Sequence, residues 1–289
     1  MQMTSMLKKE VSDKFIESVK FNRGREERWL EKGADINAKD HNGKTALMIA
    51  ALKADLDMVE FLLQKGADIN IQNSRNGDTA LIYAVKCGHI GVINKLLENG
   101  ADPNIKSMEG ETALMKNMYY DRVDIVEVLI KYGADVNICK DNGKTAIMLA
   151  ASCGQISTMQ CLIKNNAELN IQDKDGKTAL FIACDNCKNE AVKLLLESGA
   201  DVNLSNKQRK TVLMIAAESN TEILDILFDY GANIDAQDNH KNTALMLATR
   251  IKNKQSIDKL LKRGANERIK NNQGYTSKAY YLLMELGVI

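Results

Sequence analysis

Apolar residues along this chain come in paired short runs, separated by polar turns that contain glycine. The first complete pair shows the logic. Ala46-Leu47-Met48-Ile49-Ala50-Ala51 predicts a short helix whose small residues let a neighbouring element approach closely. Thr45 stands before it as an N-cap, its hydroxyl placed to accept a backbone N–H from the first turn. Met58, Val59, Phe61, Leu62 and Leu63 follow on one face of a second, amphipathic helix. Gly66 ends that helix in the left-handed conformation, which glycine adopts without a Cβ penalty. An Asp-X-Asn segment and a turn of the Asn42-Gly43 type predict a hairpin before the next threonine.

The pair recurs. The threonine of Gly-X-Thr-Ala-Leu, or of a near variant, stands at 45, 79, 112, 145, 178, 211, 243 and 276, in steps of 32 to 34 residues. Gly-Ala-Asp-Ile-Asn, first at 33–37 and 66–70, keeps step through variants starting at Gly100, Gly133, Asn166, Gly199, Gly231 and Gly264. Asn166 replaces the glycine once, and asparagine is the next most tolerant residue of a left-handed backbone. Eight copies in register over nearly the whole chain define a repeat array.

These residues resemble the ankyrin repeat, whose pattern reads Gly-X-Thr-Pro-Leu-His-X-Ala followed by Gly-Ala-Asp-Val-Asn. The resemblance runs from about Ser12 to the end. It implies an all-α fold with short β-hairpin turns: two antiparallel helices and a projecting hairpin per unit, stacked as an α-solenoid. Alanine, once valine, stands for the family proline, and the family histidine becomes Met48, Ile82, Met115, Met148, Phe181, Met214 or Met246. Packing is therefore expected to replace the family's threonine–histidine hydrogen bond. The expected organisation is a flexible N-terminus over 1–11 and a single repeat domain over 12–289. That domain comprises an N-terminal cap unit at 12–39, seven complete units over about 40–270 and a C-terminal half-unit cap at 271–289, with a helix ending near Leu286. Arg25 and Arg28 take places that are apolar in interior units, as the solvent-facing end of a stack requires, and Trp29 is read as the buried anchor of this cap.

Composition narrows the function classes. Hydrophobic residues make up 45% of the chain, enough for a sizeable core. The 39 basic and 38 acidic side chains nearly cancel, so neither nucleic acid nor a membrane surface is an expected partner. No apolar run approaches the ~18 residues of a membrane span, and no secretory leader is read at the N-terminus. Six scattered cysteines fit a reducing compartment. The expected location is cytoplasmic, with export by a non-cleaved signal left open, and the expected state is a monomer.

The residues for catalysis do not cluster. His41 and His240 stand at separate hairpins, too far apart to share a metal or substrate, and His89 reads as a turn-stabilising residue between helices. Cys184 and Cys187 form a Cys-X-X-Cys pair, but a closed zinc site needs four ligands, and no second pair accompanies it. Cys184 instead aligns with Ala51, Ala151 and Ala217, and Cys161 falls in a core column, so both read as small hydrophobes. Neither an enzymatic activity nor a cofactor is expected.

Binding is the remaining class. The resemblance implies docking against hairpin tips and the exposed ends of inner helices, seven and eight residues after each threonine. There the chain reads Leu52-Lys53, Lys86-Cys87, Tyr119-Tyr120, Ser152-Cys153, Asp185-Asn186, Glu218-Ser219 and Arg250-Ile251. Tyr119 and Tyr120 are expected at the centre of the surface, with Met108 adding apolar contact and Glu109 and Glu111 at the rim; Lys53, Lys86 and Arg250 extend the column. The bland alternative makes the tyrosines a shield for an irregular helix. In it Lys116 and Asn117 align with apolar residues and form a weak point, unless Asn117 bonds a carbonyl and Lys116 reaches outward. Early hairpins read as acidic (Asp78, Glu109, Glu111) and later ones as basic (Lys174, Lys177, Lys207, Arg209, Lys210), either ordinary solvated turns or a surface that orients its partner. The function expected is a protein-interaction scaffold or adaptor with a protein partner, the other reading being an inhibitor or host-directed effector that acts by binding.

Overall fold

A computed structural model describes residues 5–285, so Leu286, the expected end of the last helix, lies outside the described residues. Two compact units divide the chain, residues 1–141 and 142–289, with the boundary inside an Asp-Asn-Gly turn. The first contains four inner helices, α1 (Ser5–Phe21), α3 (Ala46–Leu52), α5 (Ala80–Cys87) and α7 (Ala113–Asn117), each packed on the next. Their outer partners are α2 (Glu26–Glu31), α4 (Leu56–Gln64), α6 (Ile90–Glu98) and α8 (Val123–Lys131). The second unit continues the pattern with α9 (Ala146–Cys153), α11 (Ala179–Asp185), α13 (Val212–Ser219), α15 (Ala244–Arg250) and α17 (Ser277–Glu285) inside. Outside them stand α10 (Ile156–Lys164), α12 (Asn189–Glu197), α14 (Leu224–Asp229) and α16 (Lys254–Lys262), α14 being preceded by a single 3-10 turn at Thr221–Ile223.

The inner helices from α3 to α15 are buried almost throughout, Ala46 to Ala51 and Ala80 to Val85 included. Thr45, Thr79, Thr112, Thr178 and Thr243 cap them, each hydroxyl accepting the N–H three residues on. Thr145 and Thr211 make no such bond. At α3 a thioether takes the place of the family histidine directly: the Thr45 N–H points at Met48 Sδ, 3.4 Å away.

The N-terminal segment differs from expectation. From Ser5 the stretch expected to be flexible is the start of α1, whose Phe15, Ile16 and Val19 are buried. Trp29 is half-buried rather than enclosed, with the ammonium groups of Lys32 and Lys14 at 4.8 and 5.8 Å from its ring centre. Lys53 reaches back to the end of α1 and donates to the carbonyls of Val19 and Lys20, where a cation also meets the negative end of the helix dipole.

The hairpins hold together without strands. Among the described residues only an isolated bridge, Ser205 with Thr211, has strand-type pairing. Beside a closing backbone bond, side-chain oxygens hold these turns: Asp40 Oδ1 accepts the N–H groups of Asn42 and Lys44, Asp173 those of Asp175 and Lys177, and the Ser107 hydroxyl those of Glu109 and Glu111. Most successive hairpins are tied by one backbone bond, such as Met108 N–H to Asn76 O at 2.9 Å in the first unit and Lys207 N–H to Asp175 O at 2.9 Å in the second. Gly77 is required by that approach, since a Cβ there would lie 2.6 Å from Met108 N. A second ladder joins the Asp-X-Asn segments, with Asn37 accepting from Asp68 N–H and Asn70 from Asp102 N–H.

Between inner and outer helices one residue is left-handed. Gly88 and Gly154 hold this place at φ +72° and +75°, whereas Cys187 holds it at φ +53°. A side chain in that conformation costs about 1–2 kcal/mol, partly offset in glycine by its larger unfolded-state entropy. Cys187→Gly should therefore raise stability by about 0.5–1 kcal/mol, and Gly154→Ala should lower it. Thermal melts of the two variants beside the parent chain check both signs.

Candidate binding surface

The residue before each capping threonine and the residue seven after it flank the same helix, and in four repeats they bond to each other. Lys86 Nζ lies 3.1 Å from Asp78, Tyr119 Oη 2.9 Å from Glu111, Lys177 Nζ 2.8 Å from Asp185, and Lys210 Nζ 3.0 Å from Glu218. Charge at one position is answered by opposite charge, or by a hydroxyl, at the other. In these four repeats the charge before the threonine, which contributes to the drift expected along the hairpins, is thus answered within the repeat. Asp78 and Glu111 are not exposed tips either: both are buried beside their partners. What stays exposed is acidic Glu109 in the first unit and basic Lys174, Lys207 and Arg209 in the second, with Asp175 among the latter.

The third repeat carries the densest cluster. Glu111 receives Lys116 Nζ at 2.5 Å, Lys140 Nζ at 2.8 Å and the Tyr119 hydroxyl at 2.9 Å. Lys116 also reaches Glu109 at 2.8 Å. Burial on its own would push the Glu111 carboxyl upward, but hydrogen bonds from Lys116, Lys140 and Tyr119 outweigh it and hold the group down at about 2. Burial would likewise lower Lys116, yet Glu109 and Glu111 hold it above the usual lysine range. The Tyr119 hydroxyl is pushed up to about 12, by partial burial and by donating to the Glu111 carboxylate. The expected weak point is resolved by the route foreseen for it. Lys116 reaches outward to carboxylates, and Asn117 Nδ2 donates to Arg122 O at 2.9 Å. Asn117 Oδ1 alone stays buried without a partner.

The candidate residues therefore divide. Tyr119, Tyr120 and Met108 expose 57%, 53% and 61% of their surface, so the framework covers none of them. Glu109 is exposed and bonded to Lys116. Glu111, expected at the rim, is buried as the centre of the cluster. Lys86 is engaged by Asp78 and Lys53 by α1, while Arg250, in the second unit, is paired with Glu218 at 3.1 Å. Lys140 was not among the candidates: it lies outside the two positions that flank a capping threonine and reaches Glu111 from the following hairpin.

The other singled-out groups are structural. His89 opens α6 and its Nε2 lies 3.3 Å from Leu52 O. Cys184 is fully buried with Sγ 3.5 Å from Val212 O, and burial pushes its thiol up to about 12. Among the described residues no three His, Cys, Asp or Glu side chains are grouped to hold a metal ion, and no helix is long and apolar enough to cross a membrane.

Comparison with known proteins matches this geometry. A family model described as ankyrin repeats in three copies matches residues 27–107, 91–173, 114–206 and 203–271. Among solved structures, the ankyrin repeat domain of Bcl-3, titled a unique member of the IkappaB protein family, superposes with a TM-score of 0.69 at 26% identity, covering 77% of this chain and all of that one. Two curated proteins share only short stretches. An L-asparaginase of Dirofilaria immitis is 50% identical over 40 residues, and a human mitochondrial disaggregase is 44% identical over 57. These stretches span 7% and 8% of those proteins, so the likeness is to one or two repeats.

The Glu111 cluster has a pH signature. A carboxyl held below its ordinary value of 4.5 adds stability that is complete above that pH and is lost as pH falls toward 2. Glu111→Gln leaves Lys140 without its counter-ion and Lys116 with Glu109 alone, and should cost about 3 kcal/mol at neutral pH. Thermal midpoints measured from pH 7 down to pH 3 should show the gap between parent and variant closing below about pH 4.5.

Proposed function

We propose that this chain, which belongs to the ankyrin-repeat family, is a scaffold or adaptor that holds a partner protein against its hairpins and inner-helix ends. Ankyrin repeats are protein–protein interaction modules, and the proposal locates the module's contact surface. The observation that carries it is the third repeat, where Met108, Tyr119 and Tyr120 stay exposed beside a cluster that fixes its own polar groups. Tyrosine offers rigid apolar area with a polar end, and it is enriched among residues that dominate binding energy. The Tyr119 hydroxyl is already tied to Glu111, so its ring is pre-positioned and little freedom is lost on docking. Glu109 adds an acidic edge that favours a partner with a cationic residue next to its apolar anchor.

Affinity purification with mass spectrometry identifies the partner, and substitution then tests the surface. Tyr120 makes no hydrogen bond through its side chain among the described contacts, so Tyr120→Ala should leave the thermal midpoint unchanged. Combined with Tyr119→Phe, it should weaken capture of the purified partner at least about ten-fold, the size of a hot-spot loss. Undiminished capture by this folded double variant would remove the tyrosines from the interface.

A further inference from the structure

In the outer helices one apolar column is closed repeat after repeat. Val59, Ile93, Val126, Met159, Val192 and Leu224 each stand seven residues before the left-handed glycine or asparagine that follows their helix, and each is fully buried. Ile257 holds the same place in α16 and is only half-buried. The position four residues later is buried at Leu97 and Leu196 and half-buried at Leu63, Ile130, Ile163 and Phe228, whereas Leu261 is 39% exposed. Ile257 and Leu261 form one wall of a groove of about 410 Å³, and Tyr281 of α17 lies on the other. Tyr281 and its neighbour Leu282 each expose 53% of their surface.

The surroundings of this groove are strongly cationic. Between Arg250 and Lys278 the chain carries nine cationic side chains against Asp258 and Glu267, in a molecule whose net charge is only +1. Arg250, Lys259 and Arg263 are bonded to acids of the preceding repeat. Lys252, Lys254, Lys262, Arg268, Lys270 and Lys278 make no ion pair among the described residues. Lys254 and Lys278 stand in the groove wall itself, with Asp258 and Glu267.

We propose that this end of the second unit docks an amphipathic helix of a partner protein, its apolar face in the groove and its flanks acidic. The fit to a helix follows from the column: Met159, Val192 and Leu224, which hold the place of Ile257 in α10, α12 and α14, are fully buried within the helix packing of the array, so this position already serves a helical ridge. The choice of an acidic helix follows from the six unpaired cations, which repel a basic one and draw an acidic one from a distance. This surface is independent of the tyrosine surface of the third repeat, which belongs to the other unit.

A test uses the full chain and two short labelled peptides with the same leucine face, one flanked by glutamate and one by lysine, followed by fluorescence anisotropy. The glutamate peptide should bind saturably, at least about ten-fold more tightly than the lysine peptide, and more weakly as salt is raised. Leu261→Asp should reduce its affinity at least about ten-fold, and so should Lys254→Glu combined with Lys278→Glu, with circular dichroism melts establishing that both variants fold. Tyr120→Ala should not change it, which separates this surface from the other. Absence of saturable binding, equal binding of both peptides, or full binding by either folded variant would overturn the proposal. So would binding only after removal of residues 286–289, which would make the chain's own tail the occupant. Adsorption to phosphatidylserine vesicles without peptide binding would do the same in favour of a membrane surface.

Discussion

A helix of seven to nine residues does not hold together alone in water, because its few hydrogen bonds do not repay the cost of nucleation. Every inner helix after α1 is of that length or shorter, so each is stable only while a neighbour covers it. That dependence sets most of the chain's composition. Alanines recur where inner helices meet, and threonine recurs where the first turn needs its N–H groups satisfied. The hairpins follow the same rule. Many of their polar groups are met by the adjacent hairpin, through a backbone bond at most steps and an asparagine or aspartate side chain, and not by a sheet.

Once the framework is fixed in this way, positions at its edges are free to differ. The flanks of the capping threonine show what this freedom allows. Asp78 with Lys86 and Lys177 with Asp185 are opposite in order but equal in effect, since either arrangement leaves the repeat neutral there. The third repeat departs from this by recruiting Lys116 and Lys140 around one buried carboxylate. The tyrosines beside it are left facing solvent.

The repeat length, the caps, the left-handed turns and the pairing of helices were legible in the sequence because each depends on residues close together in a strictly periodic pattern. Asn166 illustrates how far that goes: read as a tolerated stand-in for glycine, it lies at φ +64°. Features that depend on distance through space were not legible in the same way. Glu111 looked like a hairpin-tip acid, and only the approach of Lys140 from the following hairpin explains its burial. α1 runs longer than the repeat alignment suggested, because the part before Ser12 has no counterpart to align with. Strand-like hairpins were expected from the turn residues, yet side-chain oxygens close these turns before strand pairing extends.

The bonds between the flanks of each threonine bear on how such a chain can change over generations. A repeat whose charged edge is balanced from within is a self-contained electrostatic module. Duplicating or deleting one such as that of Lys177 and Asp185 moves both members together and strands neither. The repeat built on Glu111 lacks this autonomy, since one of its two lysines is contributed by the next copy. Gene-level shuffling should therefore pass freely through the self-balanced repeats, whereas the tyrosine-bearing repeat is inherited together with its successor.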